Sequence, residues 1–229
     1  MDAPRFIPYA PERLSVAQSR RRLDEFQRVL DERRSIRAFS TEPVPRALLE
    51  QVIMTASTAP SGAHKQPWTF VAISDPAIKA RLRVAAEAEE RENYDRRFSE
   101  EWKRDLAPFG TDFVKTHLTD APWVVVVFEQ RYAKRADGSR GLHYYVTESV
   151  GIAVGMLVSA CAVAGLSTLV HTPSPMGFLS ELLGRPDNEK AFAVIPIGYA
   201  PELVTVPDLR RKSLAEVLVV DPPSRSVVG

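Results

Sequence analysis

From position 150 to 166 the chain reads VGIAVGMLVSACAVAGL, without one charged side chain. A run this apolar must leave water, either across a bilayer or inside a protein. It falls short of the roughly 20 residues that span a bilayer. Its small residues (Gly151, Ala153, Gly155, Ser159, Ala160) suit close helix packing in an interior. The pattern therefore predicts a long buried helix over 142–164, capped by Gly165, and the rest of the chain must supply layers to cover it. With 229 residues, as one large domain or two small ones, the chain can bury such a core.

Those layers are legible on both sides of the run. Residues 124–128 form a near-continuous apolar strand, the pattern of a strand covered on both faces. Further strands are predicted at 68–74, 166–171 and 192–199. Helical spacing predicts helices over 11–32, 46–57 and 76–95, a helix over 98–118 broken near Pro108–Gly110, and a short one at 178–183. Helices and strands interleave throughout, which predicts a three-layer α+β or α/β sandwich. After Pro207 come Arg210, Arg211 and Lys212, then LAEVLVV, read as a short strand that pairs with its own sheet or a partner's edge.

Several function classes drop out. A net charge of +1 from nearly balanced acids and bases gives no nucleic-acid signature. The single Cys161 excludes an internal disulfide and a cysteine-rich metal site, and its apolar setting marks a buried small hydrophobe. The amino terminus lacks the basic-then-apolar order of a secretory signal, so a cytoplasmic protein that does not enter a membrane is expected. No metal site is expected.

Three groups of residues carry chemistry. Arg33, Arg34, Ser35 and Arg37 in ERRSIRAF place guanidiniums and a hydroxyl at a helix end, suited to a phosphate and a polar chain attached to it; they equally suit a solvated basic turn. Pro60–His64, PSGAH, supplies small residues where backbone must approach a ligand. Neither GxGxxG nor GxxxxGK[ST] occurs, so a phosphate-bearing cofactor would be held by side chains. Glu90 and Tyr94, four residues apart, share one helix face, and Lys115 follows. A carboxylate, a phenol and an ammonium over one cavity could grip an amino acid; a plain solvated helix explains the first two as well.

Together RRSIRAFSTEPVP, TAPSGAHKQPWTFVAISDP, the EExENY segment, HYYVTESVGIAVGML, GLSTLVHTP, LLGRP, IPIGYA and VPDLRRK resemble the nitroreductase superfamily of flavoproteins, and within it the iodotyrosine deiodinase branch. The resemblance runs from about Asp31 to Val219. It implies one α+β domain over 1–229, with a mainly antiparallel sheet between helices. It also implies a lid over about 88–118, and a tail over about 205–229 exchanged between the subunits of a homodimer. By motif, Arg33, Arg34, Ser35, Arg37 and Arg211 would hold the phosphate and ribityl end of FMN, with Ser61 and Gly62 against the flavin. Thr172 would be the catalytic hydroxyl, donating to flavin N5. Ala63 N–H would meet a substrate phenolate, Glu90 the ammonium, and Tyr94 and Lys115 the carboxylate. The implied activity is reductive dehalogenation of 3-halotyrosines with an unidentified electron donor. An NAD(P)H-dependent nitroreductase or quinone reductase, or a non-catalytic flavin or amino-acid binder, stays open. Animal members carry an amino-terminal anchor and a threonine-rich run in place of LVHTP; here the anchor is missing, which implies a soluble bacterial-type form, and His171 is unassigned.

Overall fold

The computed structural model describes residues 3–221. Its centre is a four-stranded antiparallel sheet made of β1 (Trp68–Ile73), β2 (Trp123–Gln130), β5 (Ser167–Thr168) and β6 (Glu189–Gly198), in the order β1-β2-β6-β5. Val124, Val125, Val126, Val127 and Phe128 of β2 are all fully buried, because both faces of the strand are covered. Successive side chains alternate between the faces. Val125 and Val127 join Ala193, Ile195 and Ile197 beneath α2 (Arg46–Ala56) and α6 (Val146–Val163). Val124, Val126 and Phe128 face Leu82 and Ala86 of α3 (Pro76–Glu92), Leu118 of α5 (His117–Asp120) and Leu179 of α7 (Gly177–Leu182). The result is the expected three-layer α+β sandwich.

The apolar run becomes α6, whose Val150, Ala153, Leu157 and Cys161 are buried against the sheet. By length and composition alone α6 could cross a membrane, but this face is the core of the domain. Its other face, with Ile152, Gly155, Met156, Ser159 and Val163, lines an apolar groove of about 640 Å³ together with Phe26 of α1 (Val16–Glu32) and Leu48 of α2. α1 is set by a capping box between Ser15 and Gln18 and buries no residue within the chain.

Four expectations need correction. The helix starts at Val146 instead of 142, because Arg140–Leu142 (β4) pairs with Tyr132–Lys134 (β3) in a hairpin turned at Asp137–Gly138, where Gly138 takes a φ of 80°. The strand predicted at 166–171 shrinks to Ser167–Thr168 plus an isolated bridge between His171 and Val194. The helix over 76–95 passes from α3 into a π-helical turn over Asn93–Arg97, before α4 (Glu100–Leu106). The LAEVLVV strand is instead a short helix, α8 (Leu214–Val217), because Ser213 and Glu216 form a capping box that Arg210 reinforces. The tail-exchange expectation falls partly on residues 222–229, outside the described ones; within 205–221 the tail is largely exposed and is tied to its own chain through Arg211.

Candidate functional site

The end of α1 organises a cationic cavity. Helix C-termini leave unpaired carbonyls and carry partial negative charge, which attracts guanidiniums. Arg34 donates to the carbonyls of Asp31 and Arg33, and Arg211 donates to the Asp31 carbonyl and carboxylate and to Arg33 O at 2.9–3.0 Å. Arg33, Arg34, Ser35, Arg37, Arg210 and Arg211 thus surround about 270 Å³. Burial, then the charges of Arg211 and Arg34, pull the Arg33 guanidinium below its ordinary range. Such crowding of cations is relieved by a doubly charged anion, so the residues fit the phosphate of FMN.

Beside it lies a smaller cavity of about 180 Å³ lined by Arg37, Glu90, Tyr94, Lys115, His171 and Thr172, among others. Arg37 lines both cavities, a position that its place in the phosphate motif did not disclose. The Glu90 and Lys115 side chains are only 9% and 5% exposed, and they pair at 3.5 Å. The Lys115 ammonium also donates to Asp112 O, and its backbone N–H donates to Glu87 at 2.8 Å, which ties residue 115 to α3. Tyr94 donates to Thr111 O at 2.9 Å and begins an aromatic row, with Phe98 edge-on at 5.2 Å and Trp102 stacked on Phe98 at 4.6 Å.

Burial pushes the Glu90 carboxyl up, but the hydrogen bond from His171 and the Lys115 charge outweigh it and hold the group below the usual carboxylate range. Burial pulls Lys115 down against the attraction of Glu90. His117, buried and facing the His171 ring edge-on at 5.3 Å, is pulled down to about 3 by burial and by the surrounding cations. It therefore stays neutral. Two buried opposite charges are costly to desolvate unless each is paired, as these are with one another, and a zwitterion entering between them could pair with both in turn.

The structure does not bring every sequence-predicted residue into these cavities. Ser61, Gly62 and Ala63 line neither. They sit in the α2–β1 loop against the start of α6: Gly62 N–H donates to Ser149 Oγ at 3.4 Å, and Ser61 Oγ accepts from Gln66 N–H at 2.9 Å. A Cβ on Gly62 would lie 2.5 Å from Tyr144 O, so only glycine fits. Ala63, His64 and Gln66 all have positive φ, at 48°, 53° and 46°. Three left-handed non-glycine residues within four positions mark a loop held by its surroundings. Its tie to Ser149 reaches the chain that follows the β3–β4 hairpin.

Sequence reasoning left two contributors out. His171 Nε2 lies 3.3 Å from Glu90 Oε1, and Asn93 in the π-helical turn donates to Ser174 O at 2.7 Å. Glu90 and Asn93, three apart, therefore land on 171 and 174, three apart. The EExENY and HTP strings contained the signal, but only folding sets one upon the other.

The family model described as the nitroreductase family matches residues 30–199. The chain is 52% identical over 217 residues to an iodotyrosine deiodinase of Haliscomenobacter hydrossis, covering 95% of this chain and 98% of that one. It is 42% identical to human iodotyrosine deiodinase 1 over 214 residues, covering 93% of this chain and 74% of the relative. A crystal structure of oxidized iodotyrosine deiodinase bound to FMN and 3-iodo-L-tyrosine aligns with a TM-score of 0.76 at 26% identity, across 87% of this chain and 100% of the other.

Proposed function

The chain belongs to the nitroreductase family, and from that premise we propose that it is an FMN-dependent oxidoreductase that reductively dehalogenates 3-halotyrosines. The observation that carries this reading is the buried Glu90–Lys115 pair in one cavity with Thr172. A halotyrosine is a zwitterion joined to an acidic phenol. Glu90 takes the ammonium, while Lys115 and Tyr94 take the carboxylate. The Ala63 N–H stabilises the phenolate, which activates the ring toward protonation at the carbon bearing the halogen. Thr172 offers its hydroxyl hydrogen to flavin N5. Arg33, Arg34, Ser35, Arg37 and Arg211 hold the phosphate and ribityl end, and Ser61 and Gly62 lie on the flavin. When bound, FMN supplies the two electrons; with one proton they replace the carbon–halogen bond by carbon–hydrogen and release halide. The segment 88–118 acts as the lid that excludes water over the bound ring.

Since Ser61, Gly62 and Ala63 line neither cavity within the chain, they reach the site from a second copy, and the active form is a homodimer. The apolar groove along α1, α2 and α6 supports this, as an uncovered surface suited to burial between subunits. The whole chain forms one FMN domain.

The test is anaerobic: the FMN-loaded protein is reduced with dithionite and mixed with 3-iodotyrosine. One iodide released per flavin reoxidised is expected. Reoxidation by nitroaromatics or quinones with no response to 3-iodotyrosine would transfer the assignment to a general reductase.

A further inference from the structure

His171 faces the ammonium-binding carboxylate and has no part in the reading above. It projects from the sheet on a rigid base: its backbone N–H and C=O both bond Val194 of β6, at 2.9 and 2.8 Å. Its side chain, 10% exposed, places Nε2 against Glu90 Oε1, while Lys115 Nζ approaches the other oxygen, Oε2. The two oxygens of Glu90 thus have separate partners. One is fixed to the sheet, and the other belongs to the lid.

We infer that His171 is a positioning residue for ligand amines: a neutral Nε2–H donor that occupies Glu90 Oε1 and leaves Oε2 for the ammonium of an amino acid. The inference rests on the proposed halotyrosine substrate and names what selects its amino group. On binding, the ligand ammonium replaces Lys115 at Oε2 and Lys115 moves to the ligand carboxylate. His171 remains in place throughout.

Neutrality is essential to this role. An imidazolium would be a second cation competing with the ligand for one carboxylate. The surroundings oppose it: burial first, then the charges of Lys115 and Arg37, while Glu90 alone pulls the other way. His117, the other ring against it, is neutral. Nδ1 of His171 is buried without a hydrogen-bond partner, as suits the bare nitrogen of the Nε2–H tautomer. Without the donor, Oε1 is buried and unpaired, the carboxylate loses its aim, and a ligand without an amine does not sense the loss.

Titration of bound FMN fluorescence at pH 7.5 separates these effects, with two ligands: 3-iodotyrosine and its desamino analogue 3-(4-hydroxy-3-iodophenyl)propanoate. His171→Leu should weaken 3-iodotyrosine about tenfold, the scale of one hydrogen bond to a charged group, and the analogue less than twofold. His171→Gln, which keeps an N–H donor, should stay within about threefold of the wild type for both. Imidazole 15N shifts of the wild-type protein should show a neutral Nε2–H ring for His171, a readout that survives even if the leucine variant fails to fold. Equal loss of both ligands, no loss of either, or an Nδ1–H or charged ring overturns the assignment to His171 alone. A wild-type protein that binds the desamino analogue as tightly as 3-iodotyrosine, or binds neither, overturns the functional reading beneath it.

Discussion

The two halves of the site are built on opposite principles. Below, Val194 and its neighbours on β6 are fully buried and apolar, and their backbone ladders fix His171 and the chain that leads to Thr172. Above, the segment from Glu90 to Lys115 buries a carboxylate, an ammonium and the Asn93 amide beside the half-buried Tyr94 phenol, all held by polar contacts across a short distance. The apolar half has no competing arrangement. The polar half is held by short ion pairs and hydrogen bonds, the contacts that the proposed zwitterionic substrate would exchange.

Perturbations that strike one half should leave the other. Leu157→Ala, at a fully buried position of α6, should cost about 3 kcal/mol of stability by chemical denaturation while 3-iodotyrosine affinity holds within twofold; a large loss of affinity would show that the halves are coupled. Lys115→Ala should weaken 3-iodotyrosine by about 1–3 kcal/mol by flavin fluorescence, the scale of a lost charge-assisted hydrogen bond, with less than a tenth of that effect on FMN retention.

The junction of the halves is testable through pH. His117 titrates near 3 when folded and near 6.5 when unfolded, so between those values the unfolded chain binds more protons and stability falls as pH falls. The slope should reach at most about 1.4 kcal/mol per pH unit, and His117→Gln should flatten it in urea titrations at stepped pH. Smaller still, Ala63→Gly should stabilise the fold by up to about 1 kcal/mol by relieving a left-handed residue; a loss of stability would show that the loop is not strained. Arg28→Ala removes an exposed pair with Glu32 and should move the melting free energy by about 0.3 kcal/mol or less.

How far the sequence reached differs along the same division. The run in α6, the five consecutive buried residues of β2 and the Gly165 stop, at a φ of 71°, follow from local patterns of polarity, so their positions were legible. The β3–β4 hairpin is harder to see although Asp137–Gly138 is a turn signal, because Leu142–Tyr145 extends the helical pattern of the apolar run. The tail helix was missed because apolar content outweighed the Ser213–Glu216 capping pair. For the site, the spacing of Glu90 and Tyr94 with Lys115 after them suggests one shared cavity, and the family resemblance adds the roles of the arginines and Thr172; that the two groups line adjoining cavities follows only from the fold.

The chain by itself determined which segments leave water, in what order the layers form, and which charges are available, since these depend on neighbours a few residues apart. Tertiary structure alone decided that Glu90 meets His171 across 81 positions, that Arg37 borders both cavities, and that the PSGAH loop turns to the start of α6 instead of the cavities. Those facts depend on distance in space, and burial gives them their weight: a charge pair that water would screen becomes decisive once the surrounding fold has excluded it.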